Sequence, residues 1–123
     1  MQITGKRHQP KRISFRPEDL QAIQKAGELI SANIRYHYQI SELARKVNLN
    51  ERKLKYGFKA HFGTGPYGYL VRLRMNKCKD MLKAGKAVEE IARITGYKNS
   101  SGLSHAFKKL YGISPRQWMQ EQE

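Results

Sequence analysis

The sequence is poor in cysteine, proline, acid and uninterrupted hydrophobic runs, and each shortage removes a class of protein. One cysteine, Cys78, in 123 residues rules out an internal disulfide framework and any zinc centre built from several thiolates, and it suits a reducing cytoplasm. Only 4 prolines beside 39% apolar residues exclude a chain that is disordered throughout. No apolar run approaches the ~20 residues of a membrane span, and the N-terminus lacks the apolar centre of a signal peptide. No membrane partner is therefore expected. Ten acids stand against 24 Lys+Arg, for a net charge of +14. That excess on a folded surface points to a polyanion. The length suits one domain or two very small ones with a real core, and excludes a multidomain enzyme built around a cofactor.

The scarcity of acid is also local. Between Ile91 and Gln120 there is none, while Arg93, Lys98, Lys108, Lys109 and Arg116 lie there. The stretches Arg45 to Lys59 and Arg72 to Lys86 hold six Lys/Arg each against one acid apiece. Charge runs of this kind are often plain solvated helix faces, so charge alone does not decide the function.

An internal repeat adds the missing information. Leu54, Phe58, Gly63 and Pro66 recur as Leu103, Phe107, Gly112 and Pro115, all 49 residues later, and Leu43-Ala44 recurs as Ile91-Ala92 at an offset of 48. Each copy reads as helix, turn, helix. Ile40, Leu43, Ala44 and Val47 lie on one helical face, and Leu54, Phe58, His61 and Phe62 repeat that pattern after the Asn48-Leu49-Asn50 turn. In the second copy Val88, Ile91, Ala92 and Thr95 precede Gly96, then Leu103, Phe107, Leu110 and Tyr111. Asn50 and Asn99 are expected to cap the second helix of each copy, and Gly63 and Gly112 to end it.

The remaining segments also carry helical signals. Pro17-Glu18-Asp19 opens a helix whose inward stripe is Leu20, Ile23, Gly27, Ile30 and Ile34. Gly65-Pro66 opens another, with Tyr67, Leu70, Val71, Met75, Cys78, Met81 and Leu82 on its apolar side before Gly85. Ser114-Pro115 opens a last short helix bearing Trp118. The expected fold is all-α, with about seven helices: two helix-turn-helix subdomains over 17–65 and 85–123, joined by a long connecting helix over 66–84. Residues 1–16, with Lys6, Arg7, Lys11 and Arg12 and no apolar period, are expected to form a disordered basic tail.

Function is read from the outward faces. At 100° per residue, Arg52, Lys55, Tyr56 and Lys59 point away from Leu54 and Phe58 as one stripe, and a step of 49 residues gives Ser101, Ser104, His105 and Lys108. Neither stripe holds a carboxylate. Such helices suit a major groove, where base edges present donor and acceptor patterns. The fork of Arg52 matches the O6 and N7 atoms of guanine, which makes it the first candidate for base reading. Lys59, Lys98, Ser104, Lys108, Lys109 and Arg116 are expected to hold phosphates and set register. His105 has no partner pattern for a metal or for general-base work, and no catalytic, metal or cofactor site is expected. Cys78 falls on the inward stripe and reads as a small core residue. Gly57 and its counterpart Ala106 suggest close approach of a neighbouring helix.

These motifs, together with the run Tyr69-Leu70-Val71-Arg72-Leu73-Arg74-Met75, the segment Ile91-Ala92 through Gly96-Tyr97, Ser101, Phe107-Lys108, Gly112-Ile113-Ser114-Pro115 and Trp118, resemble the DNA-binding domain of the AraC/XylS family of bacterial transcription regulators. The resemblance runs from about Pro17 to Met119 and implies base contacts from Arg52, Lys55, Tyr56, Ser100, Ser101 and His105. Two departures stand out: His105 replaces the family's common arginine, and Gly102 stands where a larger side chain is usual. Family members commonly carry a separate effector-binding or dimerisation domain. It is expected to be absent here, making the chain a compact regulator or the C-terminal part of a longer one.

The expectation is a cytoplasmic, non-enzymatic regulator that binds double-stranded DNA in a sequence-specific manner. Activation would require RNA polymerase as a further partner, for which the sequence marks no surface. The rival readings are a non-specific architectural DNA binder and the DNA-binding module of a repair protein acting through a reactive cysteine.

Overall fold

Seven α-helices and no strand form among residues 13–122, the part of the chain that the computed structural model describes. They are α1 (Pro17–Ala32), α2 (Ile40–Lys46), α3 (Glu51–Phe62), α4 (Pro66–Lys83), α5 (Val88–Thr95), α6 (Ser100–Tyr111) and α7 (Pro115–Glu121). Lys6, Arg7, Lys11 and Arg12 of the expected basic tail lie outside the described residues. Among the described residues no helix is long and apolar enough to cross a membrane.

The helix ends follow from local chemistry. The Asn50 and Asn99 side chains accept from the amides of Lys53 and Gly102 at 2.8 and 2.9 Å, and Ser114 accepts from Gln117 at 3.1 Å. Each such cap satisfies one orphan donor and contributes about 1 kcal/mol. Gly63 and Gly112 take left-handed conformations and stop α3 and α6. The turns inside the two repeats match as well: Asn48 (φ 59°) and Gly96 (φ 99°) occupy equivalent left-handed positions.

Two cores result, and α4 belongs to both. Ile23, Ala26 and Ile30 of α1 pack with Leu43, Ala44, Leu54, Phe58 and the Leu70 end of α4. Met75, Cys78, Met81 and Leu82 from the other half of α4 pack with Ile91, Ala92, Leu103 and Phe107. The internal repeat extends into these contacts. Phe58 packs on Phe62 and Tyr69, with ring centroids 4.3 and 5.4 Å away, and Phe107 packs on Tyr111 and Trp118 at 4.7 and 6.1 Å. Tyr69 and Trp118 are themselves 49 positions apart. The first half of α4 thus serves one unit as α7 serves the other, while its second half does for α5 and α6 what α1 does for α2 and α3.

Four residues expected inside are not. Leu20, Tyr67 and Leu110 are 51%, 56% and 44% exposed, and His61 is also exposed. Periodicity gives a side chain's direction but not the place where the partner helix ends. Leu20 sits at the rim beside Phe15, Gly57 and Ala60, and Tyr67 stacks on His37 outside the core. Gly57 does mark a close approach: a Cβ there would collide with Ile23 of α1.

The start of α1 is tied to α3 by a pairing between residues 34 positions apart. Asp19 is buried at 2% exposure, accepts from the Arg16 amide at 2.9 Å and receives the Lys53 ammonium at 2.8 Å. The backbone hydrogen bond first, and Lys53 second, lower its pKa from 3.8 to about 2. A depressed carboxylate pKa adds stability that is complete above the unfolded value and disappears as pH falls from about 4 toward 2. Asp19→Asn is accordingly expected to melt below the parent at neutral pH and to converge on it in that acid window. Parallel melting curves across the window would show that the carboxylate charge has no such role.

Candidate nucleic-acid interface

The outward stripes of α3 and α6 stand on helices whose opposite faces are fully committed to the cores. On α3, Leu54 and Phe58 are completely buried while Arg52, Lys55, Tyr56 and Lys59 are exposed. The Arg52 guanidinium lies 6.0 Å from the centroid of the Tyr56 ring, one helical turn away, so the two side chains form a joint surface. On α6, Leu103 and Phe107 are buried, Ser101, His105, Lys108 and Lys109 are exposed, and Ser100 and Ser104 are half-buried. Lys98 projects from the turn before α6, and Arg116 from α7.

The candidate residues therefore fall into two groups, one on each second helix, with Lys98 on the turn that leads into α6 and Arg116 set apart by the Gly112 turn. The 18 residues of α4 between the units span about 27 Å at 1.5 Å per residue. Gly102 is not demanded by its backbone surroundings, because an added Cβ would meet Asn99 at 3.6 Å, an ordinary contact. The open flank of α6 at that point reflects side-chain choice alone.

The structure also identifies Arg74 as a junction residue, a role that its place in a basic stretch of α4 does not announce. It is 5% exposed; its Nε donates to the Ile34 carbonyl at 2.7 Å and its Nη2 to the Arg35 carbonyl at 3.2 Å. Its guanidinium also lies 5.0 Å from the centre of the Tyr97 ring. One side chain of the shared helix thus holds the loop entering α2 and the turn entering α6. Gly96 completes the joint, since a Cβ there would lie 2.9 Å from the Arg35 backbone. The lysines of α4 are partly occupied as well: Lys79 sits 3.7 Å above Tyr111 and Lys83 5.7 Å from Trp118.

Cys78 is fully buried, and burial raises its thiol pKa to about 11. A thiol held in the core does not meet a substrate, so its position gives the reactive-cysteine alternative no support.

Comparison with known proteins agrees with this geometry. The profile of a helix-turn-helix domain family matches residues 43–121. The raffinose operon transcriptional regulatory protein of Pediococcus pentosaceus is 38% identical over 77 residues, 62% of this chain and 28% of that protein. The chain spans between about a quarter and two-fifths of the length of such curated relatives. Among solved structures, an AraC-type regulator from Chromobacterium violaceum superposes with a TM-score of 0.69 at 26% identity, covering 79% of this chain and 88% of that one. The DNA-binding domain of the global transcriptional factor AdpA, solved with a target DNA, has a TM-score of 0.70 at 18% identity over the same shares, a likeness of fold alone.

Proposed function

The chain belongs to the AraC family of helix-turn-helix regulators, and on that premise we propose that it binds double-stranded DNA sequence-specifically and regulates transcription, with α3 and α6 in successive major grooves. The observation that carries this reading is the pair of repeat-related helices, each buried on one face and lined with hydrogen-bonding, carboxylate-free side chains on the other. Recognition helices reading one face of a duplex must be roughly 34 Å apart. The ~27 Å of α4 together with the helix widths at its ends is of that scale, and any shortfall is met by bending the DNA or by releasing one helix.

In this reading Arg52, Lys55 and Tyr56 address bases in one half-site, and Ser100, Ser101 and His105 in the other. Lys59, Lys98, Ser104, Lys108, Lys109 and Arg116 hold phosphates. On this reading the units 17–65 and 85–123 each address one half-site, on either side of the connecting helix 66–84. The domain acts without catalysis, in the cytoplasm, and any activation passes through a contact with RNA polymerase.

The test is selection of bound duplexes from a random pool, followed by comparison of selected and random DNA at fixed salt. A ratio of affinities near unity would leave only an architectural binder. On the selected site, Arg52→Ala is expected to cost about 1–3 kcal/mol and to relax preference at one base pair. Lys108→Ala should instead weaken selected and random DNA alike and lower the salt slope by about one.

A further inference from the structure

The junction between the two units is open on one side as a groove of about 720 Å³, to which both units contribute. Arg35 and Tyr36 come from the loop entering α2; Arg93 comes from α5, and Tyr97 and Lys98 from the turn entering α6. Arg35, Arg93 and Lys98 are exposed, and no ion pair engages any of them among the described residues. Glu89 is the single acid of the lining, so three cations face one carboxylate. The lining also includes Tyr97, whose ring packs against the Arg74 guanidinium at 5.0 Å. The walls are set in advance, because Arg74 bonds to the Ile34 and Arg35 carbonyls and lies against Tyr97.

We propose that this groove is a third DNA contact, a seat for the phosphodiester backbone that borders the minor groove between the two half-sites, with Arg35 and Arg93 as its principal ligands. The inference rests on the DNA-binding reading above. Two recognition helices in successive major grooves on one face of a duplex necessarily straddle a minor groove. The groove lies between the segments that lead directly into α2 and α6, so docking both units brings it to that stretch. Arginines suit the task, since the guanidinium fork matches phosphate oxygens and is less strongly hydrated than an ammonium. Contacts of this kind carry affinity and register, not sequence information.

The test uses the protein with a selected duplex of about three helical turns, roughly 30 base pairs. Ethylation interference on the parent is expected to mark two outer groups of phosphates and a third between them. In the double variant Arg35→Gln/Arg93→Gln the central group should vanish, and the salt slope should fall by about 1.8, or 0.9 for each phosphate released. Lys25→Gln/Lys77→Gln, which removes the same charge from exposed positions outside the groove, should keep the central group and the parental slope. Unchanged melting of both double variants confirms that folding is intact. Outer groups without a central one, or an equal loss of slope in both double variants, would overturn the groove while leaving DNA binding in place. Failure of the parent to prefer selected over random DNA would overturn the DNA-binding reading, and this inference with it.

Discussion

Arg74→Met is expected to lower the unfolding free energy by about 3 kcal/mol and to uncouple the two halves of the molecule. Two hydrogen bonds from a charged donor are lost at about 1.5–3 kcal/mol each, along with a cation–π contact of about 2 kcal/mol. Against this, the variant no longer has to desolvate a guanidinium that is only 5% exposed, which returns part of the loss. Methionine keeps most of the side-chain volume, so cavity formation contributes little. Each core draws on its own half of α4, and Arg74 lies where the two halves meet. Without it, the loop entering α2 and the turn entering α6 lose their common support. Urea unfolding followed by amide exchange should show α5–α7 opening at a lower free energy than α1–α3 or the reverse, in place of one transition. A variant within about 0.5 kcal/mol of the parent, with a single transition, would show that these bonds only replace equally good ones to water.

Gly96→Ala is expected to cost about 2–5 kcal/mol, and Gly112→Ala only about 1–2. Both glycines have positive φ, 99° and 83°, so alanine pays a backbone cost of about 1–2 kcal/mol at either site. Around Gly112 an added Cβ meets nothing within 4 Å, whereas at Gly96 it lies 2.7 Å from Arg74 Nη2 and 2.9 Å from the Arg35 Cα and carbonyl oxygen. The guanidinium can shift, but the backbone of the neighbouring loop cannot without moving the unit it belongs to, and overpacking of that kind adds about 1–3 kcal/mol. The difference between the two variants isolates the steric part. Equal losses at the two sites would mean that the units slide apart at little cost. Because Gly96 and Arg74 are in contact, the double variant Arg74→Met/Gly96→Ala should lose less than the sum of the singles.

These two residues mark the boundary of what periodicity can deliver. The helices, their caps at Asn50, Asn99 and Ser114 and the stops at Gly63 and Gly112 follow from interactions within a few residues, and the inward direction of Leu54, Phe58, Leu103 and Phe107 follows from the helical period. The outward direction of Arg52, Lys55, Tyr56 and His105 was legible for the same reason, since it is the complement of the buried stripe. Leu20, Tyr67 and Leu110 escaped because the hydrophobic pattern continues past the end of the core that would cover it. Asp19 read as an ordinary first-turn acid, and nothing local connects it to Lys53.

From sequence alone this chain was determined as an all-α, twice-repeated helix-turn-helix protein with two basic or polar faces, because helical period, capping and net charge are properties of neighbouring residues. Which charges remain for a ligand was decided only by tertiary structure. Lys53 is drawn to Asp19, Arg74 to two backbone carbonyls, and Lys79 to the Tyr111 ring, whereas Arg35 and Arg93 are left facing one groove. A cation's partner is set by which acid, carbonyl or ring the fold brings within a few ångströms. In this molecule those partners lie 32 to 40 positions away along the chain, beyond the reach of any local pattern.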